Sequence, residues 1–172
     1  MSYQRRVQTK VTKEMIKISN KPNTRDELKK IIQDRISKEG PNCDLNDIDV
    51  SKITDMSYLF YGGKFDGDIS GWDTSKVKNM NGMFLRTKFN KDISKWNVNN
   101  VTNMKKMFAF SKFNQDISNW DVSGVENMEL MFKEAKFDGD ISNWKINERC
   151  ATYDTFFNCP IKEEHKPKQL QR

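Results

Sequence analysis

The chain has 172 residues, with 30 Lys/Arg against 24 Asp/Glu, one histidine, 35% hydrophobic and 31% charged residues. This describes one polar globular domain; three scattered cysteines exclude a disulfide framework, and no run approaches the roughly 18 apolar residues of a membrane span. Charge is concentrated at the ends: residues 1–40 carry net +6, residues 41–161 net −2 and residues 162–172 net +2.

Residues 3–19 alternate weakly, with Val7, Thr9 and Val11, then Ile16 and Ile18, which suits an extended arm or edge strand. The start has charge but no continuous apolar core, so it is not read as a Sec-type leader. Lys21, Pro22 and Asn23 make a turn. Thr24 and Glu27 have the spacing of a capping box, and Leu28, Ile31, Ile32 and Ile36 then fall on one helical face. Gly40 and Pro41 stop the helix. One apolar stripe opposite a charged face is what an end cap needs.

From residue 44 the chain repeats itself. Trp72, Trp96, Trp120 and Trp144 are 24 residues apart, as are Ile69, Ile93, Ile117 and Ile141, and Phe60, Phe84, Phe108, Phe132 and Phe156. A fixed period of this length marks a stacked repeat, because a unit so short cannot bury its own apolar face. Five units follow, at 44–67, 68–91, 92–115, 116–139 and 140–163. The first has Ile48 where the others have Trp, and the last loses the pattern midway. Within a unit, the Asp-Ile-Ser-x-Trp segment reads as a short strand that pairs in parallel with its copies. The Asn-Met-x-x-Met-Phe segment, with Met104, Met107 and Phe108 at i, i+3 and i+4, reads as a helix of one or two turns. Asn79, Asn103 and Asn127 stand at its start. Residues 164–172 read as a disordered basic tail.

The segment FNQDISNWDVSGVENMELMF at 113–132 resembles the BspA-like leucine-rich repeat of bacterial surface proteins and mycoplasma lipoproteins, whose consensus is close to FNxDISxWDVSxVTxMxxMFxxA. The likeness spans about residues 42–161 in five copies of one phase, and the lead-in resembles that family's N-terminal cap. It implies a right-handed α/β solenoid of leucine-rich-repeat type, with a parallel strand ladder, short helices and a helical cap. It also implies binding of other macromolecules, often in adhesion. The expected organisation is an arm and capping helix at 1–41, a five-coil solenoid at 42–163 and the tail at 164–172.

Candidate chemistry is sparse. The single histidine, His165, excludes His-based metal clusters and Ser-His or Cys-His nucleophile pairs, and no glycine-rich phosphate loop is present. Asp44, Asp68, Asp92, Asp116 and Asp140 form a ladder that accepts backbone N–H groups in turns more readily than it binds cations. The tryptophans are read as core rather than as a platform for bases or sugars. No catalytic, cofactor-binding or metal-binding residue is assigned, and no small-molecule substrate is expected.

Function is sought where the repeats disagree, because invariant phases serve stacking. Four phases vary in character, and polar residues at them in some units place them in solvent. Tyr58, Tyr61, Leu85, Arg86, Phe110, Leu130 and Phe157 occupy these phases and match the composition of interface hot spots. The leading expectation is a non-enzymatic protein-interaction module of bacterial or phage type. It would act in the cytoplasm as an effector or inhibitor, docking a protein partner on one flank. The alternatives are a secreted adhesin fragment and a nucleic-acid binder using the basic arm, whose affinity would fall steeply with salt.

Overall fold

The computed structural model of the protein describes residues 20–171. The arm expected at 3–19 lies outside the described residues. The first described element is helix α1, Arg25–Glu39, which begins where the sequence places it. Thr24 Oγ1 accepts the Glu27 N–H at 3.3 Å, while the Glu27 carboxylate accepts from Asn23, one residue earlier than a standard capping box. Gly40 ends the helix with φ +90° and donates its N–H to Ile36. Leu28 and Ile32 are buried, and Ile31 and Ile36 pack partly against the same core. Arg35 holds Asp47 at 2.9 Å and the Asp44 carbonyl, tying α1 to the first unit.

The units stack as layers, each residue lying beside its counterpart 24 positions away. Phe60, Phe84, Phe108, Phe132 and Phe156 form a column with ring centroids 5.5–5.7 Å apart. Phe65, Phe89, Phe113 and Phe137 form a second at 6.1–6.4 Å. The tryptophans are core: Trp72, Trp96, Trp120 and Trp144 are buried, and each indole N–H donates to a backbone carbonyl 27 residues earlier. That bond lets a large ring be buried without stranding its one polar group.

The expected α/β leucine-rich-repeat-type solenoid, with its strand ladder and short helices, is corrected by the backbone. Among the described residues there is one α-helix, no strand, and four isolated parallel bridges joining Asp55, Asn79, Asn103, Asn127 and Ala151 in sequence. The Asp-Ile-Ser-x-Trp segments are turns. In each, the Asp carboxylate accepts the Ser N–H two residues on, and the Ile carbonyl accepts the Trp N–H, as with Asp92 to Ser94 and Ile93 to Trp96. These local bonds use the groups that a strand ladder needs.

The Asn-Met-x-x-Met-Phe segments are successive turns rather than helices. Met107, Ala109 and Ser111 donate to the carbonyls of Met104, Lys106 and Phe108, three residues back. Met104, Lys106, Phe108 and Phe110 donate instead to Asn127, Glu129, Met131 and Lys133 of the next layer. Alternate N–H groups therefore serve the turn and the neighbour. A helix would direct every one of them to the residue four positions back. Apolar spacing of i, i+3, i+4 suits both arrangements, which is why the sequence pattern reads as helical.

The end of the chain also departs from expectation. Residues 163–170 contain two 3-10 turns, Glu163–His165 and Lys168–Leu170, rather than a frayed tail. The His165 carbonyl accepts the Ile141 N–H, Pro167 is buried and Leu170 packs against the core. This segment covers part of the last layer, as α1 covers the first.

Candidate interaction flank

The turn segments set the geometry of the variable phases. Each layer carries two residues with left-handed backbone. One is Tyr58, Gly82, Lys106, Leu130 or Asp154; the other is Gly62, Arg86, Phe110, Glu134 or Asn158. Both stand third in a four-residue turn, where type II turns require positive φ. In the second series Arg86, Phe110, Glu134 and Asn158 are all exposed. The preceding phase, Tyr61, Leu85, Ala109, Lys133 and Phe157, alternates in character down the same edge. The edge is continuous, because Gly62, Arg86, Phe110 and Glu134 donate to Leu85, Ala109, Lys133 and Phe157 of the following layer.

Each proposed contact residue can now be placed. Tyr61 is 54% exposed, Phe157 46% and Phe110 38%, while Tyr58, Leu85 and Leu130 are half-buried. Tyr58 and Tyr61 meet edge to face at 6.0 Å. Tyr58 also covers the next layer: a Cβ built on Gly82 would lie 2.5 Å from its ring, so Gly82 is the residue that admits the tyrosine. The Arg86 guanidinium sits 5.0 Å from the centroid of Phe110. Lys133 makes the same contact with Phe157, also at 5.0 Å. Cations over aromatic faces hold those rings in fixed poses at the surface.

Two features were not singled out from sequence. Tyr153 is 70% exposed, the most open large aromatic of the flank. Its signal was available, since its phase holds Ser57, Asn81, Lys105 and Glu129 in the other layers. Lys105 and Glu129 of that phase pair at 2.6 Å across adjacent layers, and this bond holds the Glu129 carboxyl below its ordinary range. The pair separates Tyr153 from the aromatics at the α1 end.

The carboxylate ladder behaves as a turn device. Asp44, Asp68, Asp92, Asp116 and Asp140 each accept a backbone N–H two residues on, at 2.8–2.9 Å. Those bonds, from the amides of Ser70, Ser94 and Ser118, push the carboxyls of Asp68, Asp92 and Asp116 below their usual range. Among the described residues no group of three or more His, Cys, Asp or Glu side chains is placed to hold a metal ion. Cys43, Cys150 and Cys159 are free, with burial raising each thiol. Among the described residues no helix is long and apolar enough to cross a membrane.

No curated protein and no solved structure matches this chain. A protein-family model does match, over residues 28–144 and again, overlapping, over residues 85–167. The chain belongs to the DUF285 family, described as Mycoplasma protein of unknown function.

Proposed function

We propose that this protein is a non-enzymatic interaction module that docks a partner protein on the flank formed by the left-handed turn phases. The observation that carries this reading is the row of exposed aromatics Tyr61, Phe110 and Phe157, two of them under cations, with exposed Tyr153 beside it, on a scaffold whose Trp and Phe columns lie in the core. Large exposed apolar side chains held in one row suit a surface built for contact. Aromatic residues and arginine are the side chains that dominate interface energetics. The partner would present apolar anchors, with carboxylates positioned for Arg86 and Lys133. The resemblance to BspA-like repeats supports the same direction, and the three free thiols support work in a reducing compartment, as an effector or inhibitor.

The test compares the wild-type chain with the triple variant Tyr61→Ser, Leu85→Ser, Phe110→Ser and with a control altered at Lys95 and Asn119 on another face. A partner identified by cross-linking is purified and its affinity measured for each. Hot-spot truncations cost about 2 kcal/mol or more apiece, so the triple variant should bind more than a thousandfold more weakly. The control should bind like wild type. Full affinity in the triple variant, with loss in the control, would move the site to the other face.

A further inference from the structure

The stack is polar along its axis, and its two ends are finished differently. At four successive junctions the same alternate N–H groups donate to carbonyls of the following layer. Met128, Leu130, Phe132 and Glu134, for example, donate to Ala151, Tyr153, Thr155 and Phe157 at 2.8–3.0 Å. In the last layer the equivalent donors are Thr152, Asp154, Phe156 and Asn158. Among the described residues none of their N–H groups has an acceptor. They line a cleft of about 650 Å³ walled on its far side by Lys166, Gln169, Leu170 and Gln171 of the C-terminal turns. Those turns pair with the last layer elsewhere, through His165 to Ile141, and place Lys166 6.0 Å from the ring centroid of Phe156. They leave the row of donors open.

We infer that this row is a docking edge for a peptide segment of a partner protein, which adds to the last layer with its backbone carbonyls at every second residue. The four preceding junctions define that chemistry, because each satisfies this row with carbonyls in that spacing. Four adjacent unpaired donors beside an open cleft form a template for main-chain recognition. A second copy of the chain is the poorer occupant: of the carbonyls its first layer would offer, at Asp55, Ser57, Leu59 and Tyr61, that of Ser57 already accepts from Arg25 Nε of α1 at 2.6 Å. The edge meets the aromatic flank at Tyr153 and Phe157, which also line the cleft, but the flank residues Tyr61, Leu85 and Phe110 belong to earlier layers and do not line it, so each reading can fail alone.

The probe is a synthetic peptide with the sequence of residues 125–136, VENMELMFKEAK, which carries the acceptor carbonyls of one layer. Amide hydrogen exchange and amide shifts are followed on the full isotope-labelled chain. Without peptide, Thr152, Asp154, Phe156 and Asn158 should exchange far faster than Met128, Leu130, Phe132 and Glu134. With peptide, the four edge amides should shift and slow at least tenfold, and a scrambled peptide should do neither. Thr152→Pro removes one donor and should weaken binding by about tenfold; the exchange measurement on the wild-type chain needs no variant. Edge amides already protected in the free chain would overturn the inference. So would a peptide that leaves them unprotected at millimolar concentration, or one that shifts only the residues around Tyr61 and Phe110.

Discussion

At Tyr58, Arg86, Lys106, Phe110, Leu130, Glu134, Asp154 and Asn158 a non-glycine side chain occupies left-handed backbone, with φ between 52° and 59°. For an L-residue that conformation costs about 1–2 kcal/mol. Glycine would remove the strain, at about 0.4–1 kcal/mol of added freedom in the unfolded chain. The first effect wins. Glu134→Gly, a position with an exposed side chain, should stabilise the protein by about 0.5–1 kcal/mol in urea unfolding. A loss of stability there would mean the side chain makes contacts that outweigh its backbone strain. The variability of these phases was legible in the sequence. Its cause was not, because Tyr, Arg, Phe and Leu give no signal for positive φ where Gly or Asn would. Gly82 at the first phase, and Gly62 and Asn158 at the second, carried that turn signature.

At the scale of the element, the stacking phases were legible and the backbone between them was not. Ile, Trp, Phe and Met recur at fixed phase because burial demands it, and all of these columns lie in the core. The choice between strand, helix and turn rests on where individual N–H groups go. Here a side-chain oxygen decides it: Asp or Asn takes the N–H two residues on, three times in a layer such as 92–115, at Asp92, Asn97 and Asn103. The α1 cap was read correctly because its stripe, N-cap and terminating glycine all agree. The central test of the columns is Phe108, fully buried between Phe84 and Phe132 and stacked on Phe113 at 4.1 Å. Phe108→Ala should cost about 3–5 kcal/mol, as ring contacts vanish on both sides and the layers cannot close a gap fixed by their hydrogen bonds. Calorimetry or urea melts would check this, and wild-type-like melting would remove the column reading.

Across the whole molecule the same carboxylate device is repeated in every layer, which makes the stack sensitive to acid. The carboxyls of Asp68, Asp92 and Asp116 are lowered first by backbone amides, and those of Asp73 and Asp121 first by the hydroxyls of Ser75 and Ser123. A carboxyl lowered in the folded state contributes stability that is fully present above its unfolded value, about 3.9 for Asp. That contribution is lost as pH falls through the folded values. Unfolding free energy should therefore be flat from pH 7 to about 5 and fall steadily below about 4, with layers failing together because each buries its faces on its neighbours. The chain supplies its own control. Asn97 stands where other layers have Asp73 and Asp121, and accepts the Asn99 N–H at 3.1 Å through a group that does not titrate. Asp92→Asn combined with Asp116→Asn should keep the fold at pH 7 and make the acid limb of a urea-unfolding series, measured between pH 7 and 2.5, shallower than that of the wild-type chain, with the remaining slope coming from carboxyls such as Asp68 and Asp140. An unchanged acid limb in that double variant would show that the turn carboxylates do not govern the acid response.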